Sequence, residues 1–521
     1  MNILGPTKNM NFKKRHIVGL ILFAGLSVLI GFFVRVGFEV RGFESLNSDE
    51  VLVYNQLLYL VHDPKSVNFI FEWNFLRDFQ KWIPEAIYYI SDKKTESVAA
   101  GICLINVLFS VLFSFLMVRR TGSYWAAVPF FVLLIFPMPA ISCWGTQVSE
   151  LRSYYFYSLI LLWFAGRWFK GSLSTFSFGF LAAWGCWANP FTAFFALPVM
   201  GYEKEVWLFT PWSSRLRKMI FMLAGVLFAS LLTFHNAPWM FLSNRGYLNW
   251  GFHPFDQIKN YFYLFFVVWP IYWFGGVPWG YLQNSKLGHF LNPGLQPWLV
   301  SCAPFVFWAL WLWVLGGTWF ALRKVEKIKE VVLWWGPALL LAIFFVFGAQ
   351  SWDALTLRYL SFWQIFLPTT LGLWASCLKF PWKSAQLVLI LCCWVVIHGF
   401  LLTEYFLKSP YEHPAHHIEV VLEQNGYGTG YSNYWCSEVV NYLSEGHVLL
   451  EPYDHIPTNK MVWDEVHHEN RIALVWIDGL DHPERFQMVL NQIKASGYHV
   501  SKRLDFGPEG WFVLGFVKEH L

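Results

Sequence analysis

Asp49 and Glu50 stand side by side in the stretch Phe43-Glu44-Ser45-Leu46-Asn47-Ser48-Asp49-Glu50, just beyond the first hydrophobic run. Two carboxylates where a membrane helix meets water can do acid–base work, because one of them can take a proton from an incoming nucleophile. They can also simply begin a surface helix, since Ser or Asp ahead of an apolar run is a common N-cap. Other ionisable residues gather at the same ends of the apolar runs: Glu150 and Arg152, Arg245, His253, Asp256, Asp353 and Arg358. Such groups are costly near a bilayer, about 2.5–3.5 kcal/mol for Asp or Arg at the centre of an inserting helix, so a one-sided cluster points to function. Transfer of a group from a phosphate needs a base and a cation that holds the departing phosphate, and arginine suits the second role. Asp49 is the candidate base and Glu50 a second carboxylate or acceptor-positioning group. Arg358 and Arg245 are the candidate phosphate ligands. Glu150, Arg152, His253, Asp256 and Tyr359 are the candidate cleft residues. Structural alternatives stand beside these roles: Asp353 paired with Arg358, Arg358 snorkelling to headgroups, and Glu150 satisfied by Arg152.

Composition sets where these residues live. Of 521 residues 56% are hydrophobic and 14% charged, against about 25% charged in soluble proteins, so most of the chain belongs in lipid. The 31 tryptophans and 52 phenylalanines suit headgroup boundaries or a cavity lining. A net charge of +4 with no basic tract gives no sign of nucleic-acid binding. Seven of the eight cysteines fall in or beside apolar runs and Cys436 lies in the polar tail, which is neither a disulfide framework nor a metal-ligand spacing and predicts buried thiols. His413, His416, His417, His467 and His468 lack a convincing ligand arrangement.

Hydropathy predicts about eleven membrane helices: Ile17–Gly37, Val98–Val118, Tyr124–Cys143, Ser153–Phe169, Leu173–Ala188, Pro190–Gly201, Met219–His235, Trp298–Leu322, Val331–Gly348, Leu357–Leu378 and Ser384–Tyr405. The first reads as a retained signal anchor. Lys13/Lys14/Arg15, Arg119/Arg120, Arg167/Lys170, Arg215/Arg217/Lys218, Arg323/Lys324/Lys327/Lys329 and Lys379/Lys383 fall in loops of one parity, which the positive-inside rule makes cytoplasmic. Counting Tyr261–Tyr281 as a full crossing would break that parity. With Pro270, Pro278 and Gly275-Gly276 it reads as a re-entrant or interfacial hairpin facing outward. The expected plan is an α-helical polytopic inner-membrane protein, N-terminus cytoplasmic and C-terminus extracytoplasmic. Residues 1–405 form the transmembrane part, with an outer loop 38–97 and an outer segment 236–297. Residues 406–521 form a small extracytoplasmic α/β domain, with strands at Val448–Leu450, Ile472–Ile477 and Trp511–Leu514 and a helix at Pro483–Ser496.

Three short motifs carry a family resemblance. They are Asn47-Ser48-Asp49-Glu50 after the first helix, Leu357-Arg358-Tyr359-Leu360 opening a late one, and Gly430-Tyr431-Ser432-Asn433-Tyr434-Trp435 followed by Leu443-Ser444-Glu445-Gly446-His447-Val448. With the inside/outside plan, the chain resembles the membrane glycosyltransferases of the GT-C class, nearest the bacterial relatives of protein mannosyltransferases and aminoarabinose-lipid A transferases. The resemblance implies a polyprenyl-phosphate sugar donor, an extracytoplasmic lipid, glycan or protein acceptor, and a catalytic or organising role for Asp49. No signature for aminoarabinose, mannose or whole-glycan transfer is matched, so sugar, acceptor and any divalent metal stay open. A lipid or polysaccharide transporter is the main alternative, although no internal repeat supports one. An envelope assembly scaffold is a third.

Overall fold

The computed structural model describes residues 14–42, 86–87, 90–91, 95–136, 151–188, 190–236, 253–270, 297–325, 327–348, 363–379, 384–407, 414–444, 446–453, 460–477, 483–506 and 511–518. The helices of the apolar part are α1 (Lys14–Gly42), α2 (Thr95–Thr121), α3 (Val128–Ile135), α4 (Leu151–Trp163), α5 (Ser172–Ala188), α6 (Ala193–Tyr202), α7 (Lys204–Leu208) and α8 (Trp212–Asn236). They continue with α9 (Phe255–Tyr263), α10 (Pro297–Lys324), α11 (Lys329–Phe347), α12 (Trp363–Ser376) and α13 (Ala385–Leu407). Among the described residues four segments are long and apolar enough to cross a membrane: Cys103–Thr121, Trp212–Thr233, Cys302–Lys324 and Lys329–Phe347. Shorter apolar helices accompany them, and the whole fits a membrane-embedded helical protein.

Chain chemistry explains where helices stop. The run expected to continue to Phe169 ends at Trp163 and turns over residues 164–169, with Gly166 at φ 88°, a left-handed conformation that favours glycine. Pro129 and Pro211 stand at or just before helix starts, where a missing N–H costs nothing. The core is aromatic: Trp269, Trp311 and Trp334 are fully buried, and Trp311 stacks on Phe366 at 4.9 Å between α10 and α12.

Helices α5 and α8 pack backbone to backbone. A Cβ at Gly179 would strike the Met222 carbonyl, and one at Gly225 the Phe176 carbonyl, so the two backbones touch where side chains are absent. Trp187 Nε1 donates to Ser230 Oγ across the same seam at 3.1 Å. Gly179→Leu is expected to separate the pair and cost about 3 kcal/mol or more, read as a lower melting temperature of the purified protein. A melting temperature equal to the native one would show that the seam is not needed.

After α14 (Pro414–Gln424) the chain alternates strands and helices: β1 (Thr429–Ser432), α15 (Tyr434–Leu443), β2 (Leu449–Pro452), α16 (Lys460–His468), β3 (Arg471–Ile477), α17 (Pro483–Ala495), β4 (Tyr498–Asp505) and β5 (Trp511–Lys518). The sheet order is β2-β1-β3-β5-β4, with β2, β1 and β3 parallel and β5 antiparallel to both neighbours. Central β3 is buried from Ile472 to Ile477, as a strand covered on both faces must be. The apolar stripe Phe486, Val489, Leu490 and Ile493 of α17 packs on Ile472, Leu474 and Trp476. The Gly430–Trp435 motif forms the end of β1 and the start of α15, where Asn433 Oδ1 accepts the Cys436 N–H at 2.9 Å as an N-cap. Asn441 of α15 clamps β2 through both backbone groups of Leu450, at 2.6 and 3.0 Å.

No disulfide joins the described cysteines, but they are not uniformly buried. Cys103 and Cys436 are buried, whereas Cys302, Cys392 and Cys393 are exposed. That corrects the expectation of buried thiols: an apolar thiol is equally at home against lipid.

Candidate functional site

The bundle has one basic end. Arg120, at the end of α2, makes a bidentate pair with Glu330 in the first turn of α11, Nε–Oε2 3.1 Å and Nη2–Oε1 3.0 Å. The same guanidinium donates to the Leu162 carbonyl in the last turn of α4 and to the Ala165 carbonyl just beyond it, at 3.5 and 3.3 Å. Glu330 also accepts Tyr202 Oη, from the end of α6, and its own helix's Trp334 Nε1, each at 3.2 Å. Lys327 Nζ donates to the Thr121 carbonyl at 3.0 Å, Arg119 lies over Trp163 at 4.3 Å, and Lys329 over Tyr202 at 5.6 Å. Three of the basic loop clusters that the sequence groups by parity therefore meet at one end, through contacts among α2, the α4–α5 turn, the end of α6 and the α10–α11 connection.

The opposite end holds the described part of the predicted site. There the His253 N–H donates to the Phe347 carbonyl at 2.9 Å, tying the entry of α9 to the far end of α11. The imidazole is buried and stacks on Tyr261 at 3.9 Å, with the planes 14° apart. Burial lowers the His253 pKa below its ordinary value, opposed by a hydrogen bond with Gln257. Its Nε2 is buried with no hydrogen-bond partner among the described residues. Such a group usually awaits a water or a ligand.

Behind His253 the helix changes pitch. Residues Leu264–Val268 form a π turn within the segment read from sequence as a re-entrant hairpin, and the described chain stays helical to Pro270. One turn of π-helix inserts an extra residue and often marks a functional site. Trp308 Nε1 of α10 donates to the Phe266 carbonyl at 2.8 Å, which supplies a partner inside the widened turn. Tyr261 and Phe265 pack edge-on or tilted against Phe345 of α11, at 6.1 and 6.5 Å.

Of the other candidate residues, Arg152 is the second residue of α4 and Asp256 the second of α9, and both helices start at this same end. Asp49, Glu50, Glu150, Arg245, Asp353, Arg358 and Tyr359 lie outside the described residues, as do residues 271–281 of the predicted hairpin. Among the described residues no group of three or more His, Cys, Asp or Glu side chains could hold a metal.

Sequence reading overlooked a second buried histidine. His398 of α13 borders a cavity of about 30 Å³ with Phe307, Trp311, Leu367, Cys393 and Trp394, and its Nδ1 has no partner among the described residues. That is room for about one water molecule. A histidine in the middle of an otherwise apolar span is the signal that could have found it.

Comparisons with family models, curated proteins and solved structures found no match to this chain.

Proposed function

We propose that this chain is a membrane glycosyltransferase that moves a sugar from a polyprenyl-phosphate donor to an extracytoplasmic lipid, glycan or protein. The observation that carries the reading is the polarity of the bundle. One end is basic and internally paired. The other holds a buried histidine with an unmet nitrogen, beside a π turn, at the end where the sequence gathers its ionisable residues. The GT-C resemblance of the motifs at Asp49-Glu50, Arg358-Tyr359 and Gly430–Trp435 points the same way. In this reading some eleven helices span the cytoplasmic membrane, with the N-terminus inside and the α/β tail outside.

The chemistry is a substitution at the sugar's anomeric carbon. The acceptor hydroxyl oxygen bonds to that carbon while the carbon–oxygen bond to phosphate breaks, and polyprenyl phosphate leaves with the electron pair. Asp49 takes the acceptor proton, and Arg358 and Arg245 hold the phosphate as its charge grows. Glu50 positions the acceptor. His253, through its unmet Nε2, offers a hydrogen bond to a sugar hydroxyl.

The test compares envelope lipids and glycans by mass spectrometry in a gene-deleted strain complemented with native protein or with Asp49→Asn at matched membrane levels. Asp49→Asn keeps size and hydrogen bonding while deleting the base, so product is expected to fall about 10²–10⁴-fold. Loss of one sugar-sized mass in both the deletion and Asp49→Asn names the sugar. Full rescue by Asp49→Asn removes the base from the mechanism and favours transport.

A further inference from the structure

The cations of the basic end differ in how they are held. Arg119, Arg120, Lys327 and Lys329 are engaged within the bundle, as described above. Lys170, Lys204 and Arg217 instead carry exposed side chains, with Lys218 half-buried beside them. Among the described residues no carboxylate lies within ion-pair distance of any of these four. The neighbouring Glu203 is turned inward, its Oε1 accepting the Gly166 and Trp168 N–H groups at 2.7 and 3.3 Å. The same contact, with Phe169 against Trp207 at 4.8 Å, draws the α4–α5 turn that carries Lys170 up to the α6–α8 connection.

Bare apolar side chains share this edge. Leu208 is 58% exposed, Phe209 80% and Trp212 69%. Leu208 and Phe209 precede the span that begins at Trp212, so packing of that span against lipid tails does not account for them. Their connection is also held in shape. Arg215 donates Nε to the Thr210 carbonyl at 2.7 Å and Nη2 to the Leu208 carbonyl at 2.8 Å. Water is a poor solvent for an aromatic ring fixed outward, and the leaflet beside the span is the apolar phase at hand.

We propose that the α6–α8 connection, with the α4–α5 turn beside it, binds an anionic phospholipid headgroup. Phe209 and Trp212 enter the leaflet, and Lys170, Lys204, Arg217 and Lys218 receive the phosphate and its net negative charge. Arg217 lies over Phe221 at 5.9 Å and the charge of Lys170 reaches Glu203, but cations with no carboxylate in direct contact keep most of their attraction for anionic lipid, which an ion pair would cancel. A zwitterionic lipid presents no net charge and gains little. This site does not depend on the sugar-transfer reading.

The full-length protein in nanodiscs of equimolar phosphatidylglycerol and phosphatidylcholine, released for native mass spectrometry, tests it. The native protein is expected to retain phosphatidylglycerol in preference to phosphatidylcholine, and rising salt is expected to erode that preference. In Lys204→Gln/Arg217→Gln/Lys218→Gln the affinity for phosphatidylglycerol should fall about fivefold per cation removed, with phosphatidylcholine unchanged. Lys204→Arg/Arg217→Lys/Lys218→Arg should bind as the native protein does. Equal retention of both lipids, salt-insensitive retention, or undiminished binding by the glutamine variant would overturn the proposal. So would full competition by inorganic phosphate at equal concentration, which would mean an anion site with no lipid role.

Discussion

Arg120→Ala is expected to destabilise the bundle by about 3–5 kcal/mol, the usual result of removing one partner of a buried ion pair. The side chains of Arg120 and Glu330 are only 10% and 11% exposed, so Glu330 would be left charged in a poor solvent. Two carbonyls, of Leu162 and Ala165, would lose their donor as well. Glu330→Ala should cost a similar amount, because it strands the guanidinium together with Tyr202 Oη and Trp334 Nε1. Arg120→Lys should recover only part, since an ammonium cannot reproduce the two-pronged contact. Replacing both partners with apolar residues of similar volume, Arg120→Met with Glu330→Leu, should recover most of the loss. Thermal melting and the monodisperse yield of purified protein read all four variants. A single variant melting with the native protein would mean that water already reaches the pair.

The second large effect concerns pH and lies in the sheet. Glu451, on β2, is 4% exposed, and its Oε2 has no hydrogen-bond partner among the described residues. Facing it are Tyr431, its register neighbour on β1, and His467 of α16, whose Nδ1 is 3.8 Å from Oε2. Burial pushes the Glu451 carboxyl up to about 8 and pushes the Tyr431 phenol up as well. The folded state therefore holds a proton that the unfolded state releases near 4.5. Stability is full below that value, falls by about 1.4 kcal/mol per pH unit as pH rises, and levels off above about 8. Hydrogen exchange of peptides covering residues 429–453 in the full chain, corrected for the intrinsic pH dependence, should show protection lost as pH rises from about 4.5 to about 8. Glu451→Gln, which keeps the shape without the proton, should flatten the profile. Equal slopes in the two proteins would mean that Glu451 finds a partner when ionised.

What the sequence made legible follows from the physics of each element. The helices Ser172–Ala188, Pro297–Lys324, Lys329–Phe347 and Ala385–Leu407 begin and end within a few residues of the hydropathy prediction, because length and apolarity alone define such segments. Strands β3 and β5 were readable as apolar runs and α17 as a stripe. Strands β1 and β4 were not. β1 is four residues long with Gly430 inside it, and β4 is exposed along nearly its whole length with a bulge between Val500 and Lys502, so neither shows alternation. Pairing across the chain was less visible still. Arg120 and Glu330 are 210 residues apart and each reads as an ordinary helix-end charge. Glu203 and Glu451 likewise look like surface acids until tertiary packing covers them. His253 was singled out by its place at a helix end, but its stacking on Tyr261 has no counterpart in local spacing.

The π turn at Leu264–Val268 has a consequence for how this segment tolerates length change. An α-helix advances about 100° per residue, so an extra residue inside it turns everything on one side of the insertion relative to the other. Tyr261, on one side, faces Phe345, and fully buried Trp269 lies on the other. The wide turn absorbs that rotation, so that Tyr261 reaches Phe345 while Trp269 stays buried in the same apolar core. Removing a single residue from Leu264–Val268 would restore regular pitch and swing His253 and Tyr261 away from α11 while Trp269 stayed in place. The segment thus behaves as a phase adjuster, in which one residue's worth of length decides whether the two ends are read in step.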